Sequence, residues 1–232
     1  MQKTQNISRV LSKQGICSRK QAAEIVKSGR IKINGRITTD PGWQITSRDK
    51  ILLDNKPLQK KTKRYIILHK PAGYVTTRND ELGRKTVYSL LGDINEWVFP
   101  VGRLDQESEG LLIFTNDTAL GNKLTDPNYK VPKTYEVLVK GIVTEDDLSR
   151  IRQGMDIGRG EKTQPAKIKI LSQDNSSTSI LMTITEGKNR EIRRLFECLE
   201  KKVIRLIRTQ FGPLSLANIP KGKWKEVDNI KL

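Results

Sequence analysis

The stretch Pro100-Val101-Gly102-Arg103-Leu104-Asp105-Gln106-Glu107-Ser108-Glu109-Gly110-Leu111-Leu112-Ile113-Phe114-Thr115-Asn116 runs from an apolar lead-in, through a polar loop between two glycines, into a strongly apolar strand. A loop of this kind holds polar side chains at the rim of a rigid sheet, where catalytic residues tend to sit. The residues alone also fit a plainer reading, in which Asp105 is a turn residue bonded to its own backbone. On pattern alone the plainer reading is the stronger one.

Outward from this stretch the chain is rich in short β-like runs separated by turns. Tyr65–Leu68, Gly110–Thr115, Thr134–Val139, Ala166–Leu171 and Ser179–Thr185 are expected strands. Helical spacing appears in Thr118–Leu124, Glu145–Arg152 and Arg190–Glu200. Strands dominate without regular strand–helix alternation, which predicts an α+β domain rather than a doubly wound one. Before Tyr65 the pattern differs. Ile7, Val10 and Leu11 sit at helical spacing and Gly15 is a natural stop. Ser18-Arg19-Lys20-Gln21 is a capping-box pattern, followed by Ala22, Ile25 and Val26 on one face and a stop at Gly29. Ile31-Lys32-Ile33 alternates like a strand, Asn34-Gly35 is a type I′ turn signal, and a further strand is expected near Lys50–Leu53. The run Gln59-Lys60-Lys61-Thr62-Lys63-Arg64 has no apolar residue and reads as a linker. Two domains are therefore expected, 1–60 and 65–232.

Charge supports this division. The 232 residues carry a formal net charge of +17, and residues 1–64 hold 16 Lys+Arg against 4 Asp+Glu, a net of +12. An excess concentrated in about a quarter of the chain points to a polyanion, because each phosphate neutralised releases condensed counterions. No segment joins this charge to a long amphipathic face, so a membrane surface fits less well. No apolar run is long enough to span a bilayer, and Met1–Gln5 lacks the apolar segment of a signal peptide, so the cytoplasm is the expected address.

Chemistry has few carriers in this chain. There is no phosphate-binding loop and no dinucleotide fingerprint after a strand. The single histidine, His69, closes an apolar strand and is expected to be packed or hydrogen-bonded. Cys17 and Cys198 lack metal or redox spacing and are expected to be small buried apolar residues. A zinc site is not expected from one histidine and two isolated cysteines, and catalysis, if present, must rest on carboxylates, tyrosines or cations.

Several ordered segments carry a resemblance. Gly102-Arg103-Leu104-Asp105 with Ser108-Glu109-Gly110-Leu111-Leu112 closely resembles the catalytic motif of the RsuA family of bacterial ribosomal-RNA pseudouridine synthases. Leu68-His69-Lys70-Pro71-Ala72-Gly73 is similar to the family's opening strand and turn, with histidine where asparagine is usual. Lys133-Thr134-Tyr135-Glu136-Val137 is similar to its tyrosine motif, and Glu186–Leu195 and Val203–Arg208 to its C-terminal motifs. Residues 5–50 resemble the RNA-binding module of ribosomal protein S-four. The resemblance reverses the reading of Asp105.

It implies a mostly antiparallel mixed sheet flanked by helices, crossed by an active-site cleft, behind a small two-helix and hairpin RNA-binding domain. Asp105 would act as nucleophile at C1′ or as base at the 2′ position. Arg193 would oppose Asp105 and keep it ionised. Tyr135 would stack the extruded base, Leu206 would form an apolar floor, and Arg103 would displace the base or hold its phosphate. Arg19, Lys20, Lys27, Arg30 and Lys32 would face RNA, or else solvate the outer face of the module. Lys188, Arg190, Arg193 and Arg194 crowd an expected helix N-terminus, where cations oppose the helix dipole unless anions arrive. Arg193 would otherwise pair with Glu197 at the surface. Phe114 and Trp97 are expected in the core.

The expected substrate is ribosomal RNA, free or in a pre-ribosomal particle, and the expected form is a monomer. Thr77-Arg78-Asn79-Asp80 and Asn189–Arg194 favour the large-subunit branch of the family, with a small-subunit target as the alternative. Two rivals stand beside this reading. One is a metal-dependent nuclease using Asp105, Glu107 and Glu109, which alternate along the chain. The other is a non-catalytic ribosome-assembly factor.

Overall fold

The computed structural model describes residues 4–92 and 94–230. They group into two compact units. The first contains the described residues up to Arg64, together with those of 93–99 and Thr115–Gly121. The second contains Tyr65–Gly92, Pro100–Phe114 and the described residues from Asn122 onward.

In the first unit β1 (Gln5–Asn6) pairs with β4 (Gln44–Ile45), and between them lie α1 (Ile7–Lys13), α2 (Arg19–Lys27), β2 (Ile31–Ile33) and β3 (Arg36–Thr38). The two further strands are β5 (Ile51–Leu53) and β6 (Lys56–Pro57), and the sheet order is β3-β2-β5-β6. Local chemistry explains each step. Asn6 caps α1, its side chain accepting from Arg9 N at 2.8 Å. The capping box forms at α2, with Gln21 N donating to Ser18 Oγ (3.2 Å) and Ser18 N to Gln21 Oε1 (3.0 Å). Asn34 and Gly35 both take positive φ, 49° and 83°, as a type I′ hairpin requires. Ile7, Leu11, Ala22, Val26 and Ile31 are fully buried and form this unit's core.

The second fold element is a nine-stranded sheet. Its strands are β7 (Tyr65–Lys70), β8 (Phe99–Val101), β9 (Glu109–Thr115), β10 (Lys133–Lys140), β11 (Lys167–Gln173), β12 (Ser177–Ile184), β13 (Val203–Phe211), β14 (Leu214–Ser215) and β15 (Trp224–Val227). The main order is β11-β12-β10-β13-β9-β7-β15, with β14 on β13 and β8 on β9. Alternation predicts the half-buried strands: β12 buries Thr178, Ile180, Met182 and Ile184 and leaves the residues between them partly open. β9 is buried along its whole length, as a central strand with a continuous apolar run should be. Three helices, α3 (Thr118–Thr125), α4 (Glu145–Gln153) and α5 (Glu191–Glu197), complete the set. The expected α+β architecture and mostly antiparallel sheet are found, with β9 and β13 paired in parallel.

Three expectations need correction here. α5 ends at Glu197 rather than Glu200, and Glu200 takes φ 59°, a left-handed turn that sends the chain back toward β13. Cys17 is buried as expected, whereas Cys198 caps α5 and is exposed. Phe114 is fully buried, but Trp97 is only half-buried and lies against Phe99, ring centroids 5.3 Å apart.

Candidate active site

The loop between β8 and β9 is held from below by Lys70. This side chain is fully buried at the end of β7 and donates to four carbonyls: Ser108 (2.7 Å), Asp105 (3.0 Å), Pro71 (3.1 Å) and Gln106 (3.3 Å). An ammonium has three hydrogens, so at least one is shared. Burial presses the Lys70 pKa down to about 8, with the nearby Asp105 and Glu109 carboxylates opposing that shift. Thr76 fastens the loop a second time, its Oγ1 donating to Leu104 O at 2.7 Å. Gly73 N donates to Gln106 O at 2.8 Å, and Ser108 N closes the turn on Asp105 O at 3.1 Å. The Asp105 backbone is thus bonded as in a turn while its carboxylate is about one-third exposed in a cleft.

That cleft has a volume of about 420 Å³. Asp105 and Arg103 of this loop line it together with Tyr135, Arg193 and Leu206 from distant parts of the chain. Lys188 and Arg190 line it too, whereas Arg194 does not. Tyr135 and Leu206 are 7% and 6% exposed, on β10 and β13 respectively, and form its apolar wall.

The cations divide differently from expectation. The guanidinium next to Asp105 belongs to Arg190, 4.0 Å from Oδ2, and Arg190 also lies 3.6 Å from Glu107. Arg193 sits 3.5 Å from Glu107 and donates through Nη1 to Val203 O at 3.3 Å. Its surface alternative, a pair with Glu197, is not formed among the described residues. The cause is local: Arg190 adopts φ 49° as the N-cap of α5, which swings it out of helical phase toward the loop. Arg194, expected to face RNA, is 7% exposed and spends its donors on Ile157 O, Gly158 O, Asn189 O and the Glu161 carboxylate. It anchors the 157–161 turn to α5.

The three alternating carboxylates do not converge. Glu109 is buried and held by Arg205 (3.0 Å) and Lys221 (2.5 Å), while Glu107 faces Arg190 and Arg193. Among the described residues no three His, Cys, Asp or Glu side chains are grouped so as to hold a metal ion. His69 is hydrogen-bonded as expected, its Nδ1 lying 2.8 Å from Ile219 O.

In the first unit Arg19, Lys20 and Lys27 are exposed on α2, and Lys32 is half-buried on β2. Arg30 is tied to Asp54 by two bonds, at 2.8 and 2.6 Å.

Ser108, Lys133, Arg208 and Phe211 also line the cleft, and none of them carries a role in the sequence reading. Only Arg208 leaves a usable signal, its i+2 spacing from Leu206 on a strand.

The chain has relatives among known proteins over nearly its whole length. Residues 64–198 match the model of the RNA pseudouridylate synthase family, and residues 6–51 match that of the S4 domain. The chain is 37% identical to ribosomal large subunit pseudouridine synthase B of Bacillus subtilis, over 96% of this chain and 92% of that protein. It is 39% identical to an uncharacterized RNA pseudouridine synthase of Aquifex aeolicus, over 97% and 91%. A solved pseudouridylate synthase matches 96% of this chain and 95% of its own at 27% identity, with a TM-score of 0.69.

Proposed function

This chain belongs to the RNA pseudouridylate synthase family, in the RsuA-like form with an N-terminal S4 module, and from that premise we propose that it isomerises uridine in large-subunit ribosomal RNA with Asp105 as the catalytic carboxylate. The reaction breaks the bond from C1′ to N1, turns the uracil, and joins C5 to the same C1′. The C5 hydrogen leaves to solvent and N1 takes up a proton, so no group is gained or lost and no redox partner is required. One ionised carboxylate at the sugar suffices, as nucleophile at C1′ or base at the 2′ carbon. Arg190 lies 4.0 Å from Asp105 Oδ2, and Arg193 lies beside Glu107 on the same loop. Tyr135 stacks the extruded base over the Leu206 floor, and Arg103, which lines the same cleft, displaces the base or holds its phosphate.

Residues 1–60 serve as the RNA-binding module and 65–232 as the catalytic domain. Arg19, Lys20, Lys27 and Lys32, with Lys188 and Arg190 at the cleft, meet phosphates. The enzyme works as a monomer in the cytoplasm, on ribosomal RNA or a pre-ribosomal particle, without a cofactor. The observation that carries the reading is the convergence of Asp105, Tyr135, Arg193 and Leu206 on one cleft.

Asp105→Asn tests it. Release of tritium from RNA labelled at uridine C5 is expected to fall by at least about 10⁴-fold, with RNA affinity within about twofold. An asparagine variant that still releases tritium at the normal rate sinks the mechanism and returns the chain to a non-catalytic assembly role. Mapping pseudouridines in both ribosomal subunits of a strain lacking the protein separates a large-subunit from a small-subunit target.

A further inference from the structure

Three polar atoms on cleft-lining side chains are buried without a hydrogen-bond partner among the described residues: Ser108 Oγ, Arg193 Nε and Arg208 Nη2. A buried donor left unmet is costly, the more so when it is charged. Arg208 is the most tightly constrained of the three. It is 2% exposed, its Nε donates to Leu111 O at 2.8 Å, and its guanidinium lies over the Phe211 ring at 4.9 Å. One edge of the fork is therefore spent and one face is stacked, which leaves Nη2 fixed and unmet. Arg208 is also the cross-strand partner of Tyr135 in the β10–β13 register. The unmet donor thus belongs to the strand position beside the ring that carries the base.

We propose that Arg208 is a base-recognition residue whose Nη2 donates to a carbonyl oxygen of the extruded uracil. The inference rests on the function proposed above and names the group by which that site knows its base. Where Nη2 faces C4 before the turn, cytosine would present an amino group there, donor would meet donor, and such an unpaired buried pair is strongly disfavoured. The symmetry of uracil gives the contact a second use. Turning the ring by half a revolution about the line through N3 and C6 exchanges N1 with C5 and exchanges the C2 and C4 carbonyls. A donor fixed at one carbonyl position therefore meets O4 before the turn and O2 after it, or the reverse. The donor therefore holds the detached ring on either side of the turn, by one carbonyl before it and by the other after it.

The test compares RNA carrying uridine, 2-thiouridine or 4-thiouridine at the target position, each tritiated at C5. Sulfur is a poor acceptor, so the wild-type enzyme is expected to lose about 10-fold in kcat/KM with each thio substrate. Arg208→Lys keeps the charge but lacks the fixed second donor. It is expected to lower kcat/KM on natural RNA by roughly 10–100-fold, with less than about twofold further loss on thio substitution and an unchanged Kd for RNA. A wild-type penalty with only one thio substrate, or with neither, overturns the proposal, and that measurement stands even if the lysine variant does not fold. Equal thio penalties in both enzymes also overturn it. So does a shallower salt dependence of RNA binding in Arg208→Lys, which would assign Nη2 to a phosphate. Failure of the parent reading looks different: the wild-type enzyme would release no tritium from natural RNA at all.

Discussion

Lys70 shows how much of the site depends on a fully buried residue that does not line the cleft. Its ammonium is fully buried and holds the carbonyls of Pro71, Asp105, Gln106 and Ser108, so the turn that presents the Asp105 carboxylate is organised around a single charge. Lys70→Met preserves the stem and removes every donor. Four carbonyls then lose this partner, and a stability loss of about 3–5 kcal/mol is expected. Urea unfolding checks this, and single-turnover rates at a temperature where the variant is folded should fall as well, since the loop has lost its tether. A variant as stable and as fast as wild type would show that Thr76 and the Gly73–Gln106 bond hold the turn unaided. This role is invisible in a one-dimensional reading. A lysine closing a strand ordinarily reaches water, and burial of a charge is decided by which carbonyls the tertiary fold brings to it. The same blindness explains Arg194, which reads as a phosphate ligand and is a buried brace. It also explains Arg193, whose expected place beside Asp105 is taken by Arg190 because one residue adopts a left-handed backbone. Asp105, Tyr135 and Leu206 are legible, because a motif fixes residue types in order even when it says nothing of their pairing.

At the scale of elements, the site is created where β9 and β13 run parallel. Gly110 is opposite Arg208 in that register, and a Cβ built on it would stand 2.3 Å from Arg208 O and 2.6 Å from Arg208 N. Its φ of 106° adds a second barrier to any side chain. Gly110→Ala is therefore expected to cost about 3 kcal/mol or more, read as a lower urea midpoint, because both obstacles are backbone and neither can move aside. Next to it, Glu109 binds Arg205 of β13 and Lys221, and the hydrogen bonds from Arg205, with Lys221 behind them, hold its carboxyl down to about 2. A depressed carboxyl stabilises the fold above its unfolded pKa, about 4.5, and that contribution is lost as pH falls toward 2. Both cations are half exposed, so solvent screens part of their attraction. The stability gap between wild type and Glu109→Gln should thus be about 1–2 kcal/mol at pH 6 and close to nothing at pH 2. A gap constant across that range would remove the ion pair from the account. Four strands from Tyr65 onward, β8, β13, β14 and β15, escape the reading, but the five expected there are readable from alternation and length and all occur. Their partnership is not: no local pattern reveals that β9 is flanked by a strand nearly a hundred residues later, and β15 carries no alternation strong enough to announce it.

For the whole molecule the question is what the charge of residues 1–64, a net of +12, does for the catalysis proposed at Asp105, which belongs to the other unit. Deleting the basic segment is a poor test, because residues 115–121 belong to the same compact unit. Asn116 accepts from Arg64 N at 2.9 Å and donates to Thr62 O at 2.8 Å, Asp117 pairs with Lys63 at 2.5 Å, and a Cβ on Gly15 would stand 3.2 Å from the Asn116 side chain. Truncation would strip partners from the end of β9 and the start of α3, and lost activity would be ambiguous. Substituting glutamine for Arg19, Lys20 and Lys27 together avoids this, since all three are exposed on α2 and none is needed for its capping box. Arg30 is left alone because Asp54 already holds it. If these cations meet phosphates, the plot of log affinity against log salt should become shallower by about 2, with kcat at saturating RNA and the melting temperature unchanged. If they merely solvate the helix, the slope will not move. Weak binding with an intact kcat would mean that the module concentrates RNA at the enzyme while the cleft alone performs the isomerisation. A fall in kcat as well would mean that the module also sets the register in which the target uridine reaches Asp105.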